Sequence, residues 1–182
     1  MAEPTYYKES KKMKLHWYAI YTKHNAEQTL RECILNYSQR NALHYETYLP
    51  LREEVKKWRD RNKIKKLPLF RNYLFVKHDD NAFYKIKTMK GFCDYIRFGS
   101  TPSTIPLQQM DIIKKVVEHQ AGGYCQTSKL VKGKKVKICR GALAGFEGVL
   151  LDCPSNNTLA IEVKSLKLCL NVQVAVTDVV LI

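Results

Sequence analysis

The sequence predicts an α+β protein in two parts: a split βαβ unit over residues 15–121, then a small closed five-stranded β-barrel over 133–182. Three observations predict it. Up to about residue 119 the apolar residues switch between a spacing of 2 and a spacing of 3.6. From Gly133 only short strand-like runs remain, punctuated by Gly, Pro and Asn. Between the two lies GGYCQTSKLVK, residues 122–132, which reads as a linker. Each part carries its own apolar pattern, so few contacts are expected to cross.

Residues 1–14 are polar and charged and are expected to be a disordered tail. Leu15 to Thr22 (LHWYAIYT) is rich in aromatic and apolar residues and reads as a strand. Asn25 is the expected N-cap of a helix over 26–38, with Gln28 completing a capping box. Ala26, Leu30, Cys33, Ile34 and Tyr37 supply its apolar stripe. Leu43, Tyr45, Thr47 and Leu49 mark a second strand by alternation. It runs into Arg52–Arg71, where nine side chains are basic and three acidic. That charge density suits a solvated hairpin arm.

Leu69 to Lys77 (LFRNYLFVK) reads as a third strand. Asp80 is the expected cap of a short helix with Phe83, Ile86 and Met89 in one stripe, ended by Gly91. Phe92 to Phe98 (FCDYIRF) is a fourth strand. Pro106 opens a last helix with Leu107, Met110, Ile113 and Val117 inward, closed by Gly122-Gly123. In the second part strands are expected at 135–139, 147–151, 159–163, 166–172 and 174–181. Val172, Val174, Val176, Val179, Val180 and Ile182 favour sheet there, because β-branched residues are stiff at χ1.

The 182 residues carry 31 Lys and Arg against 17 acids, a formal charge of +14. Such an excess points to nucleic acid or another anionic surface. No apolar run approaches the roughly 18 residues a membrane span needs. Leu15–Tyr21 contains His16 and is too short for a secretory signal, so a cytoplasmic chain is expected. Six cysteines form no C-x-x-C pair, which argues against a zinc site or redox motif. The five histidines, at 16, 24, 44, 78 and 119, show no catalytic pattern. With no nucleophile elbow, phosphate loop or paired-acid motif, neither enzyme activity nor a cofactor is expected.

Gly133–Asp152 (GKKVKICRGALAGFEGVLLD) places two β-type segments around a glycine-rich loop. Val136, Ile138 and Val149 flank it, and Gly141, Gly145 and Gly148 allow a tight turn and close strand approach. The run resembles the KOW motif of SH3-like barrels in transcription factors and ribosomal proteins. It departs at Leu143, where that motif usually has an aromatic. Residues 15–120 resemble the amino-terminal domain of the NusG family through WYAIYTKHNAEQ at 17–28, PLFRNYLFV at 68–76 and YIRFG at 95–99. The chain is closer to specialised, UpxY-like or RfaH-like members than to the housekeeping factor. The housekeeping pattern has Pro-Gly where this chain has Arg71-Asn72, and VKKWRDRNKIKKLPLF at 55–70 is similar to UpxY-type antitermination proteins.

The resemblance implies a transcription elongation and antitermination factor that binds RNA polymerase and suppresses pausing or premature termination, on selected operons such as those for surface polysaccharides. A housekeeping NusG-type factor and a ribosomal or RNA-binding KOW protein are the alternatives. It implies a polymerase contact at Tyr21, Phe70, Tyr73 and Phe75, docking on the clamp helices of the largest subunit. It places Lys23 and His24 near the non-template DNA strand or nascent RNA. Lys56, Lys57, Arg59, Arg61, Lys63, Lys65 and Lys66 would form the basic arm, with Trp58 able to stack on a base. The KOW domain would meet a ribosomal protein or the Rho factor, and the chain is expected to be a monomer.

Overall fold

The computed structural model describes residues 14–57, 62–119, 125–129, 133–141, 143–151, 158–163, 166 and 168–182. The expected tail falls outside these except for its last residue, as do Trp58, Arg59 and Arg61.

The first part contains β1 (His16–Thr22), α1 (Glu27–Arg40), β2 (Glu46–Tyr48), β3 (Leu51–Lys57), β4 (Asn62–Pro68) and β5 (Tyr73–His78). It continues with α2 (Ala82–Lys87), β6 (Phe92–Tyr95), β7 (Arg97–Phe98), β8 (Thr101–Pro102), β9 (Thr104–Ile105) and α3 (Leu107–His119). The main sheet runs β2-β5-β1-β6, with β9 also on β1. Pairing of β1 with β5 is antiparallel and sets Ala19 opposite Phe75 and Tyr21 opposite Tyr73. Successive residues of a strand face opposite sides. Tyr18 and Ile20 therefore meet Leu30 and Ile34 of α1, while Trp17 and Ala19 join Ile105, Met110 and Ile113 on the other face. The sheet is covered on both sides.

The alternation expected for residues 43–49 survives as a shorter strand. The single fourth strand expected at 92–98 is broken after Tyr95, where the Ile96 N–H leaves the ladder to donate to Ala19 O. Leu107, expected to face inward, is 65% exposed; Met110, Ile113 and Val116 form the buried stripe instead. Leu107 is the first residue of its helix, so the stripe begins one turn later.

Two caps differ from expectation. Asn25 lies at φ 53° and Ala26 occupies the cap position without a side-chain bond, so there is no capping box. The buried Glu27 carboxylate instead accepts the Asn72 backbone N–H at 2.7 Å. Asn81, not Asp80, is the cap residue of α2 and makes no side-chain cap bond; its own N–H donates to Asp79 at 2.7 Å, while the Asp80 carboxylate accepts the Tyr18 hydroxyl at 3.0 Å.

The second part contains β10 (Cys125–Lys129), β11 (Lys134–Ile138), β12 (Glu147–Leu151), β13 (Thr158–Val163), β14 (Leu168–Gln173) and β15 (Val179–Leu181). The order β10-β14-β13-β12-β11-β15 makes a six-stranded antiparallel sheet. Strand β10 lies in the stretch expected as a linker and pairs with β14 from Cys125↔Val172 to Lys129↔Leu168. The expected strand at 174–181 shortens to β15, because Val176–Asp178 form a 3₁₀ turn. Among the described residues no pairing joins β10 to β15, so they form a six-stranded path in which closure of the expected five-stranded barrel is not seen. Few contacts were expected between the parts. Yet one apolar cluster runs from Trp17, Phe75 and Ile113 into Val136, Ile161 and Leu170, and Lys115 of α3 stands 5.5 Å from the Phe146 ring centroid. Among the described residues no helix is long and apolar enough to cross a membrane.

Two outcomes follow for stability. Glu27→Ala leaves the Asn72 N–H without its acceptor and should cost about 1–3 kcal/mol in urea unfolding, while Glu27→Gln, which keeps an oxygen, should recover most of it. His78 is fully buried between Asp79 O at 2.6 Å from Nδ1 and the Tyr95 hydroxyl at 3.2 Å from Nε2. These partners assign the neutral ring with its proton on Nδ1. Burial holds its pKa below the ordinary value of 6.5, against the smaller upward pull of Asp79 and Asp80. Folded His78 therefore binds a proton less readily than unfolded. Its stabilising contribution is complete above pH 6.5 and is lost as pH falls towards the depressed folded pKa. Stability should therefore rise with pH across that window, and His78→Gln should flatten the dependence in acid melting curves.

Candidate functional site

Tyr21 is the penultimate residue of β1 and Tyr73 opens β5, opposite each other in register, so their rings meet edge to face with centroids 5.5 Å apart. Tyr21 is 39% exposed and Tyr73 half-buried. The Asn72 side-chain amide donates to the Tyr21 hydroxyl at 3.3 Å, which ties the pair to the β4–β5 turn. Burial, then the neighbouring Tyr21, push the Tyr73 pKa upward, so the phenol keeps its proton and remains a donor.

Phe70 and Phe75, expected with the tyrosines in the polymerase contact, are buried at 1% and 0% exposure. The reason is packing. The Phe70 ring lies edge-on to Phe75 at 5.5 Å, and Phe75 reaches Tyr48 at 6.4 Å. Together they form the floor on which Tyr73 stands, 6.5 Å from Phe70. All of these residues lie on the face shared with α3 and the second sheet, so a residue that would face solvent on a lone sheet is covered.

Three turns converge beside the tyrosines. Thr22 N–H donates to Asn72 O at 2.8 Å, and Lys23 N–H to Gly91 O at 2.9 Å. Asn72 holds φ 63°, the left-handed conformation that its type tolerates in place of glycine. The bonds bring exposed Lys23 and His24 alongside exposed Arg71 and Lys90. Arg71 and Lys90 were missed as site residues. A Lys-Gly or Arg-Asn turn carries no signal of its own until the fold sets it beside another turn.

The basic arm is the β3–β4 hairpin, with Lys56 opposite Lys63 and Glu54 opposite Lys65. Lys63, Lys65 and Lys66 are exposed, and Lys66 approaches Glu53 only to 3.9 Å. An exposed pair of that length contributes little. Lys56 and Lys57 lie on β3 in the hairpin; Trp58, Arg59 and Arg61 lie outside the described residues. The hairpin does not carry Lys23 and His24, which belong to the turn cluster. Ile64 is 60% and Leu51 40% exposed on the opposite face of the arm from Lys63 and Lys65.

In the glycine-rich motif, Gly141 and Gly145 have φ 81° and 90°, and Gly145 N–H returns to Ile138 O at 2.7 Å. A side chain on Gly148 would meet Ala160 O at 2.7 Å, which is why β12 needs glycine there. Val136, Ile138 and Leu143 are buried, and Val149 is half-buried. Among the described residues no group of His, Cys, Asp and Glu is placed to hold a metal ion.

Residues 15–114 match the family described as transcription termination factor NusG. The fold is similar to a solved structure of NusG from Thermotoga maritima, reported for its domain interaction. That match has 20% identity and a TM-score of 0.58, covering 91% of this chain and 96% of the other. Two conformations of an MjSpt4:Spt5 complex match at 11% identity with TM-scores of 0.31 and 0.32, over 91% of this chain and 96% and 97% of theirs, too low to bear on the arrangement. The family match covers more than half of the 182 residues and contains the tyrosine pair, the three turns and the hairpin: the chain belongs to the NusG family of transcription factors.

Proposed function

We propose that this chain is an elongation and antitermination factor of the specialised type, acting on selected operons, with surface polysaccharide operons as the precedent in similar proteins. It works by binding rather than by chemistry. The observation that carries the reading is the Tyr21–Tyr73 pair, standing exposed and half-exposed at the end of a sheet that is otherwise covered on both faces. Aromatic pairs of this kind bury large area at small entropic cost and commonly dominate interfaces. The pair docks on the clamp helices of the largest polymerase subunit, and Phe70 and Phe75 hold it from below. Lys23, His24 and Lys90 and the hairpin arm then face the non-template strand or nascent RNA. The second part takes a further protein partner, with a ribosomal protein or Rho as the family precedents.

Arg71-Asn72 and the basic hairpin favour the specialised role over the housekeeping one. A simple ribosomal KOW protein has no use for the first part. Co-purification with core polymerase, compared with ribosomes, separates these readings.

Tyr21→Ala with Tyr73→Ala should weaken capture of core polymerase at least tenfold with a melting temperature close to that of the parent, since hot-spot truncations cost roughly 2 kcal/mol or more. Phe75→Ala should act through the fold, destabilising by about 3–5 kcal/mol. Unchanged capture by the folded double variant would remove the docking site. Neutralising Lys56, Lys57, Arg59, Lys63, Lys65 and Lys66 to Gln should lower the salt slope of binding to an elongation complex. The decrease should be about 0.7 for each phosphate of single-stranded nucleic acid that the arm no longer neutralises. Binding to polymerase without nucleic acid should change much less. Parallel slopes in parent and variant would show the arm to be a solvated surface.

A further inference from the structure

Between the base of the hairpin, the β4–β5 turn and β14 lies a half-open cleft of about 350 Å³, lined by residues that include Arg52, Pro68, Phe70, Arg71, Tyr73 and Leu168. Its chemistry is one-sided. Two guanidinium groups and a phenol supply donors. The Glu54 carboxylate lies 3.2 Å from Arg52 and is its ion-pair partner. Among the described residues no carboxylate lies within ion-pair distance of Arg71. The Tyr73 phenol stays protonated, its pKa raised by burial and by Tyr21 rather than by any acceptor. The cleft is therefore rich in positive donors and poor in acceptors, the setting for an anion.

The walls add a second requirement. Pro68, Leu168 and the Phe70 and Tyr73 rings give the cleft an apolar side that a bare inorganic anion would leave uncovered. A ligand matching both sides carries an anionic group for the arginines and a flat ring for the wall. Guanidinium recognises phosphate by paired parallel hydrogen bonds and also stacks on rings. The volume sits at the lower end of the roughly 300–1,000 Å³ typical of small-molecule sites, which suits one mononucleotide and not a polymer. We propose that this cleft binds a free nucleoside monophosphate, its phosphate between Arg52 and Arg71 and its base against Tyr73 and Leu168. Because Leu168 belongs to the second part and the other wall residues to the first, the bound nucleotide touches both and stabilises their contact.

The test uses the whole chain and does not involve polymerase. Uridine monophosphate is titrated by calorimetry and by thermal melting, beside inorganic phosphate, uridine and a short oligothymidine. The expected result is saturable binding of uridine monophosphate at one site with a rise in melting temperature. Phosphate and uridine alone should each bind at least about tenfold more weakly, since each fills only half of the cleft. Arg71→Ala should weaken binding about tenfold or more, as removal of a charged hydrogen-bonding partner does. Arg71→Lys, which keeps the charge but not the paired geometry, should fall between. Arg97→Ala, on a surface arginine paired with Asp94, should leave binding unchanged. Absence of saturation at low millimolar concentration would overturn the proposal. So would equal losses from Arg71→Ala and Arg97→Ala, which would mark general charge attraction. Tighter binding of oligothymidine with the same Arg71 dependence would also overturn it, because the occupant would then be a nucleic acid strand.

Discussion

Strand β1 has to be apolar on both faces, and the first part of the molecule is arranged around that requirement. Its neighbours are β5 along one edge and β6 with β9 along the other, so it offers no free edge to solvent over most of its length. One face is closed by α1 and α2, the other by α3 and the second sheet. Such a strand has no room for charge in its middle. Several polar groups near it are paired: Tyr18 with Asp80, Tyr45 with Asp79, and His78 between Asp79 O and Tyr95, whereas the buried Thr22 hydroxyl has no hydrogen-bond partner among the described residues. Buried polar atoms are costly unless bonded, so this network accompanies the two-sided sheet as a necessity.

Near its carboxyl end β1 exposes Tyr21, the residue on which the proposed docking rests. Tyr21 emerges from the sheet, and the chain turns immediately through Lys23 and His24. Backbone bonds from Thr22 and Lys23 lock this turn to the two that carry Asn72 and Gly91. Glu27 adds a charged clasp from the first turn of α1 to the Asn72 N–H. Bonds to a charged acceptor are among the stronger ones available. The result is a rigid corner with aromatic contact area and clustered positive charge, from three segments far apart in sequence.

The second sheet sits on the face that holds Phe70 and Phe75. Its strands are short and separately patterned, yet their apolar side continues the cluster of α3 and the main sheet. The cleft lined by Arg52, Arg71, Tyr73 and Leu168 is a by-product of this junction: the hairpin base and the β4–β5 turn meet β14 without filling the space. The aromatic floor, the cleft and the contact between the parts are thus one structural problem, in which moving β14 would alter all three.

Most strands and helices of the first part, the hairpin and the tight glycine turn at Gly141 and Gly145 were legible along the chain, because periodicity and glycine chemistry are local. Phe83, Ile86 and Met89 read as a stripe for the same reason. The left-handed backbone of Asn72 was also legible, since few other residues tolerate it. Tertiary structure decided what depends on distant partners. Glu27 looked like an ordinary first-turn acid until Asn72 arrived to use its carboxylate. Phe75 shares a face of β5 with Tyr73, but how far that face is covered depends on where the second sheet lands. Lys90 and Arg71 became neighbours of Lys23 only through hydrogen bonds between turns. The sequence by itself determined the main strands and helices of the first part and that the chain is strongly basic. Only the folded chain decided which aromatics face solvent and which charges stand together, because burial and proximity belong to pairs of segments rather than to either one.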